Sequence, residues 1–344
     1  MPLLLLLSAC AGALRPTMTP DAVVTYRTSD GWINDLRHYP GDGPTVLLVH
    51  GMAANHYNFD FRPEVSLAAY LNASGWDVWV PELRGDPGSA APPGVDAGDI
   101  TFDDLALRDL PAAVDAVLAA TGDDQLYWVG HSMGGILLYT ALSAYPQRIA
   151  GGVAISSPVA FEHPLRIYKT AQGAGFLVRG DGVLPLRGLG RLAVDLGVAR
   201  SLEPRVSTRD SMAPDMLRGL ALNVLHPVPK ALARQALTWL EAGAVVDLTG
   251  EPLVRPGAEV PLLVMAGPLD GIVPEPDVAA ACDVFPRCTY TQLSMAQGFS
   301  HDYGHVDPVV GRMAQVEVFP RVLRFLTGIE AARVAGATAD AEAR

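Results

Sequence analysis

The chemistry this chain can do is best organised around Ser132, which stands in Gly130-His131-Ser132-Met133-Gly134. A serine hydroxyl is a weak nucleophile until a base takes its proton. The five residues arise easily by chance, so their surroundings decide. The apolar run Gln125-Leu126-Tyr127-Trp128-Val129 before them predicts a strand, and residues 134–144 after them predict a helix. A strained strand-to-helix turn lifts the hydroxyl clear, and flanking glycines let neighbouring backbone pass close by. A carbonyl attacked there becomes an oxyanion, which needs N–H donors already aimed at it. The amide of Met133 is one candidate. The amide of Met52, in the loop His50-Gly51-Met52, is the other. His50 reads as a packed histidine that holds this loop.

An acid and a base must complete the set. Pro261–Ala266 predicts a strand, and Asp270 lies in the loop after it, Gly267-Pro268-Leu269-Asp270-Gly271. That places a carboxylate at the carboxyl end of a strand, where it can fix a histidine tautomer and stabilise its cation. Asp277 is the runner-up, read as a solvated helix charge. Two histidines compete as base in Ser300-His301-Asp302-Tyr303-Gly304-His305-Val306-Asp307. The context Gly304-His305-Val306-Asp307, with Gly311 and a long helix beyond, favours His305. The order Ser132, Asp270, His305 is the one expected for such a triad on a parallel sheet, and it holds for either histidine.

The elements that must position these residues alternate. Residues 22–28 and 32–39 read as a hairpin around Ser29-Asp30-Gly31. Thr45-Val46-Leu47-Leu48-Val49-His50-Gly51 holds a continuous apolar run, stopped by glycine and suited to a strand buried on both faces. Residues 64–73 read as a helix and Asp77–Pro81 as a strand, with Arg84-Gly85-Asp86 in the turn after it. Thr101–Ala120 has the spacing of an amphipathic helix, and residues 149–155 form another strand. The rhythm breaks between Pro158 and Pro256, where helical stretches 214–224 and 229–242 occur without a clear strand. It resumes with 261–266, a helix over 276–284, a strand over 289–293 and a helix over 309–327. This alternation predicts an α/β fold with a mostly parallel sheet covered on both faces. The expected division is a leader and linker over 1–21, a sheet domain over 22–157 and 257–328, an inserted helical cap over 158–256, and a flexible tail over 329–344.

The net charge of −12, from 25 basic and 37 acidic residues, argues against nucleic acid or an anionic membrane as the main partner. At 49% hydrophobic residues the chain can bury a sizeable core. No zinc-type Cys/His spacing and no phosphate-loop motif occurs. The apolar run Leu3–Leu7 is too short to span a bilayer, but with Leu7-Ser8-Ala9-Cys10 it resembles the lipobox of bacterial lipoproteins. On that reading Cys10 is lipidated and attaches the protein to a membrane of the cell envelope. The alternative is a cytoplasmic protein with a chance apolar start. Cys282 and Cys288 are either a bridge from a helix end to the next strand or two buried thiols.

Four stretches together resemble the α/β-hydrolase family near its lipase and esterase members: Val49-His50-Gly51-Met52, Gly130-His131-Ser132-Met133-Gly134-Gly135, Asp270-Gly271-Ile272-Val273-Pro274 and Gly304-His305-Val306-Asp307. The stretch from His50 to Phe59, followed by Ser66–Leu71, is similar to acid-lipase-like members. Their last histidine is likewise followed by an aspartate two residues later. The resemblance implies hydrolysis of small-molecule or lipid carboxylic esters through an acyl-enzyme, with no metal or organic cofactor. Serine at this turn disfavours family members that use aspartate there, such as epoxide hydrolases. Acyl transfer and thioester hydrolysis use the same triad and stay open, as does a non-catalytic binding role on this fold.

Overall fold

The computed structural model describes residues 18–163, 175–198, 201, 206–208 and 211–342, with side chains described through residue 336. Cys10 and the lipobox lie outside the described residues. The chain opens with β1 (Ala22–Arg27) and β2 (Ile33–Tyr39), paired antiparallel from Ala22 opposite His38 to Arg27 opposite Ile33. Next come β3 (Thr45–Val49), α1 (Leu67–Ala73), β4 (Asp77–Pro81), the short β5 (Ser89–Ala90) and α2 (Leu110–Thr121). β6 (Leu126–His131), α3 (Met133–Ala144) and β7 (Ile149–Ile155) follow. After β7 the chain leaves the sheet for β8 (Val183–Leu184), α4 (Leu186–Asp195), α5 (Pro214–Asn223), β9 (Val228–Pro229) and α6 (Lys230–Ala242). It returns for β10 (Leu262–Ala266), β11 (Cys288–Gln292) and the closing α7 (Phe319–Glu342).

Eight strands run in the order β1-β2-β4-β3-β6-β7-β10-β11, with β5 also paired to β2. From β4 to β11 every pairing is parallel. Alternation along the buried strands divides the core in two. Leu47 and Val49 of β3 point into one cluster with Trp79, Trp128, Leu137 and Val264. Val46 and Leu48 point to the opposite face, into a cluster with Val78, Val129, Met265 and Phe319. The segment between β7 and β10 contributes to both clusters. Leu232 and Trp239 of α6 join the first, while Met216 and Leu220 of α5 join the second.

Three elements differ from the sequence expectation. The Thr101–Ala120 helix starts on a capping box of Thr101 and Asp104, then widens into a π-turn over Leu105–Asp109 before α2. A two-residue antiparallel pair, β8 with β9, stands where no strand was expected. Such a pair is shorter than any readable period. Residues 329–342, expected as a tail, are helical and continue α7, consistent with an alanine-rich composition of high helix propensity. Cys282 and Cys288 form a disulfide that joins the turn Ala281–Val284 to the start of β11. Among the described residues no helix is long and apolar enough to cross a membrane.

Candidate active site

The turn between β6 and α3 carries Ser132 at φ 53° and ψ −120°. A non-glycine residue there is strained by about 1–3 kcal/mol, so the surroundings must hold it. The Ser132 amide donates to the Ile155 carbonyl oxygen at 2.8 Å. Glycine is obligatory around it: a Cβ on Gly134 would sit 1.9 Å from the Val49 carbonyl oxygen, and one on Gly130 would sit 2.3 Å from the Gly134 backbone. The two glycines therefore let β3, β6 and α3 converge beneath the serine.

The loops after β10 and β11 bring Asp270 and His305 to Ser132. Ser132 Oγ donates to His305 Nε2 at 3.1 Å, and His305 Nδ1 donates to Asp270 Oδ2 at 2.8 Å. The other Asp270 oxygen accepts the amides of Ile272 and Val273, each at 2.8 Å. The two loops are laced together, since the Leu269 amide donates to the Tyr303 carbonyl oxygen at 3.0 Å. Asp270 and His305 are buried, and Ser132 is partly accessible. His301 is elsewhere: its ring stacks on Tyr303 at 4.1 Å and its Nδ1 meets Ser300 Oγ.

Met133 is the first residue of α3, so its amide is one of the donors a helix leaves unpaired. Met52 follows β3 in the neighbouring loop. Met52 and Met133 line the same cavity of about 330 Å³, walled by Leu83, Ile100, Leu105, Val228 and Leu232. Behind this loop His50 is buried between Asp86, 2.9 Å from Nε2, and the Gly51 carbonyl oxygen, 3.0 Å from Nδ1. Burial works to lower its pKa, but the Asp86 carboxylate outweighs this and raises it. Possible ligand atoms of His50, Glu82 and Asp86 lie within 4.8 Å of one another. They are committed to each other and to neighbours: His50 to Asp86, and Glu82 to His56 and Arg37. The group therefore reads as an ion-paired brace of the loop.

Two aspartates take places that the sequence reading did not give them. Asp307 is fully buried and accepts the amides of Gly304 and Thr208 at 2.7 Å, the Ser211 hydroxyl at 2.5 Å and the Ser207 hydroxyl. It thus ties the histidine loop to the segment between β7 and β10. That segment also touches the Met52 loop, where the His226 amide donates to the Ala53 carbonyl oxygen at 2.9 Å. Asp277 is not a solvated charge. It is buried, pairs with His163 Nδ1 at 2.7 Å and accepts the amides of Glu162 and His163. Of these, only Asp307 had a signal in sequence, its place two residues after His305.

A parallel sheet with a strained serine turn, a buried carboxylate and a histidine, in that chain order, defines a class. The model of the α/β hydrolase fold family matches residues 44–304, and the chain belongs to that family. It is 34% identical over 134 residues to human gastric triacylglycerol lipase, covering 35% of this chain and 34% of that enzyme. It is 30% identical over 159 residues to human lipase member N, covering 41% and 40%. The chain thus spans well under half the length of these relatives. In three dimensions it is similar to a thermophilic esterase from Thermogutta terrifontis, with a TM-score of 0.62 over 90% of this chain and 99% of that one, at 22% identity.

Proposed function

We propose that the chain hydrolyses carboxylic esters through an acyl-enzyme on Ser132. The observation that carries this reading is the bonded series Ser132–His305–Asp270, 3.1 and 2.8 Å, at a turn held in a strained conformation. His305 Nε2 takes the Ser132 proton as Oγ attacks the carbonyl carbon, and the Met52 and Met133 amides receive the oxyanion. Asp270 stabilises the imidazolium and keeps its ring in place. The imidazolium then protonates the leaving alcohol oxygen, and the carbonyl reforms as acyl-Ser132. Water attacks next, with His305 again as base, and releases the acid and the free serine.

The apolar walls of the cavity beside Met52 and Met133 support an ester with an apolar acyl or alcohol part. Because Val228 and Leu232 belong to the segment between β7 and β10, that segment selects the substrate in this reading. The lipase names of the relatives agree with it. The test is hydrolysis of p-nitrophenyl esters of graded chain length by purified protein. Turnover is expected with wild type and not with Ser132→Ala. Equal turnover by both, or none across the series with folded wild type, would overturn the proposal.

A further inference from the structure

His131 is a buried side chain that the mechanism above does not use, yet it faces the histidine loop. Its Nε2 lies 3.0 Å from the His305 carbonyl oxygen, and its Nδ1 lies 3.0 Å from Asn58 Oδ1. Asn58 is buried as well, and its Oδ1 accepts the Gly51 amide at 3.4 Å. The ring therefore meets two acceptors, and only an imidazolium donates to both.

His50 is in the same position, between the Gly51 carbonyl and Asp86, and there the carboxylate raises its pKa. Among the described residues His131 has no carboxylate partner. Burial, with the charge of His305 adding to it, pushes its pKa down to about 3, so the ring is neutral and has one N–H. The two acceptors differ in what they can do. The His305 carbonyl is backbone and only accepts. The Asn58 amide can turn over and present its NH₂ to Nδ1, giving up the Gly51 contact, the longest of the three. The single N–H is then free to go to His305.

We propose that His131 is a positioning residue whose Nε2–H holds the His305 backbone, with Asn58 as the adaptable partner that keeps the proton on Nε2. This rests on the reading of Ser132 and His305 as nucleophile and base. Two side chains thus have their tautomers fixed at one site, His305 by Asp270 and His131 by Asn58. A base moved by about 1 Å costs up to about 10² in rate. Because no substrate contact is involved, the loss falls on kcat and not on KM.

The test uses four variants of the full chain with a p-nitrophenyl ester, each with a measured Tm. His131→Leu should lower kcat by about 10- to 100-fold at nearly constant KM. His131→Gln, whose side-chain amide reaches the same carbonyl, should recover most of it. Asn58→Asp presents a carboxylate that only accepts, so Nδ1 must hold a proton. The contact to His305 then survives only while His131 is a cation, and activity should fall on the alkaline side, where wild type stays level. His305→Ala separates the two readings. If it is inactive while His131→Leu has wild-type kcat, the positioning role is wrong and ester hydrolysis stands. If His305→Ala is itself active, the underlying reading fails. Equal losses in folded Leu and Gln variants, or an Asn58→Asp profile of wild-type shape, would also overturn the positioning role.

Discussion

Replacing Asp270 by asparagine changes one proton and almost nothing in shape, and the consequence can be worked from the geometry. One Asp270 oxygen accepts two amides, those of Ile272 and Val273 at 2.8 Å, while the other accepts His305 Nδ1–H at 2.8 Å. An asparagine has one oxygen and one NH₂ to place. The oxygen must face the two amides, because the reverse would set the NH₂ against both. The NH₂ then points at His305 Nδ1 and donates to it. The imidazole keeps its proton on Nε2, where it faces Ser132 Oγ and cannot accept. The wrong tautomer costs about 10⁴ in kcat, or roughly 5.5 kcal/mol of transition-state stabilisation. Both amides keep their acceptor, so Tm should change little. The assay is ester turnover by Asp270→Asn beside its thermal melt. A folded variant that kept more than about a tenth of wild-type kcat would refute the assignment of Asp270 as the group that sets the tautomer.

Three further outcomes are expected. Asp307→Ala removes the acceptor of two amides and two hydroxyls; the hydroxyls of Ser207 and Ser211 already meet at 2.6 Å and can satisfy each other, so the two amides set the cost at about 2–5 kcal/mol in a denaturant titration. A loss under about 1 kcal/mol would contradict the bracing role. Asp60 is a buried carboxyl whose pKa burial raises to about 6, with His56 and Tyr39 opposing. A raised carboxyl favours folding below the unfolded value near 4 and loses that contribution as pH climbs through about 6, so Asp60→Asn should gain on wild type by up to roughly 3 kcal/mol between those limits. A difference that does not vary with pH would refute it. For the N-terminus, expression in a bacterial host should give a membrane-bound protein whose first peptide begins at acylated Cys10, and an unmodified soluble peptide from Met1 would contradict the lipobox reading.

The central strands of the sheet are legible in the sequence because they are buried on both faces. Runs such as Thr45–Val49, Asp77–Pro81 and Ile149–Ile155 carry no polar residue facing solvent, and the bounds of the last two fall where the reading put them. The serine turn is legible for a related reason, since Gly130 and Gly134 have no tolerable replacement. Asn58 is not legible as an organiser of the site, and Asp307 is legible only as the aspartate two residues after His305. Besides the nearby Gly51 and Gly304 amides, their partners lie far along the chain, 73 residues from Asn58 to His131 and 96 from Asp307 to Ser211, and no local pattern marks such a pairing. Asp277 misleads for the same reason. A helical aspartate looks solvated until the chain 114 residues earlier is folded over it.

The central claim, that Ser132 is the nucleophile and His305 its base, is tested most directly by labelling with a fluorophosphonate, followed by mass mapping of the labelled peptide. Wild type and His301→Ala should carry the label on the peptide containing Ser132. His305→Ala should label slower by several orders of magnitude, and Ser132→Ala not at all. Label that persists in Ser132→Ala, or that vanishes in His301→Ala but not in His305→Ala, would contradict the account.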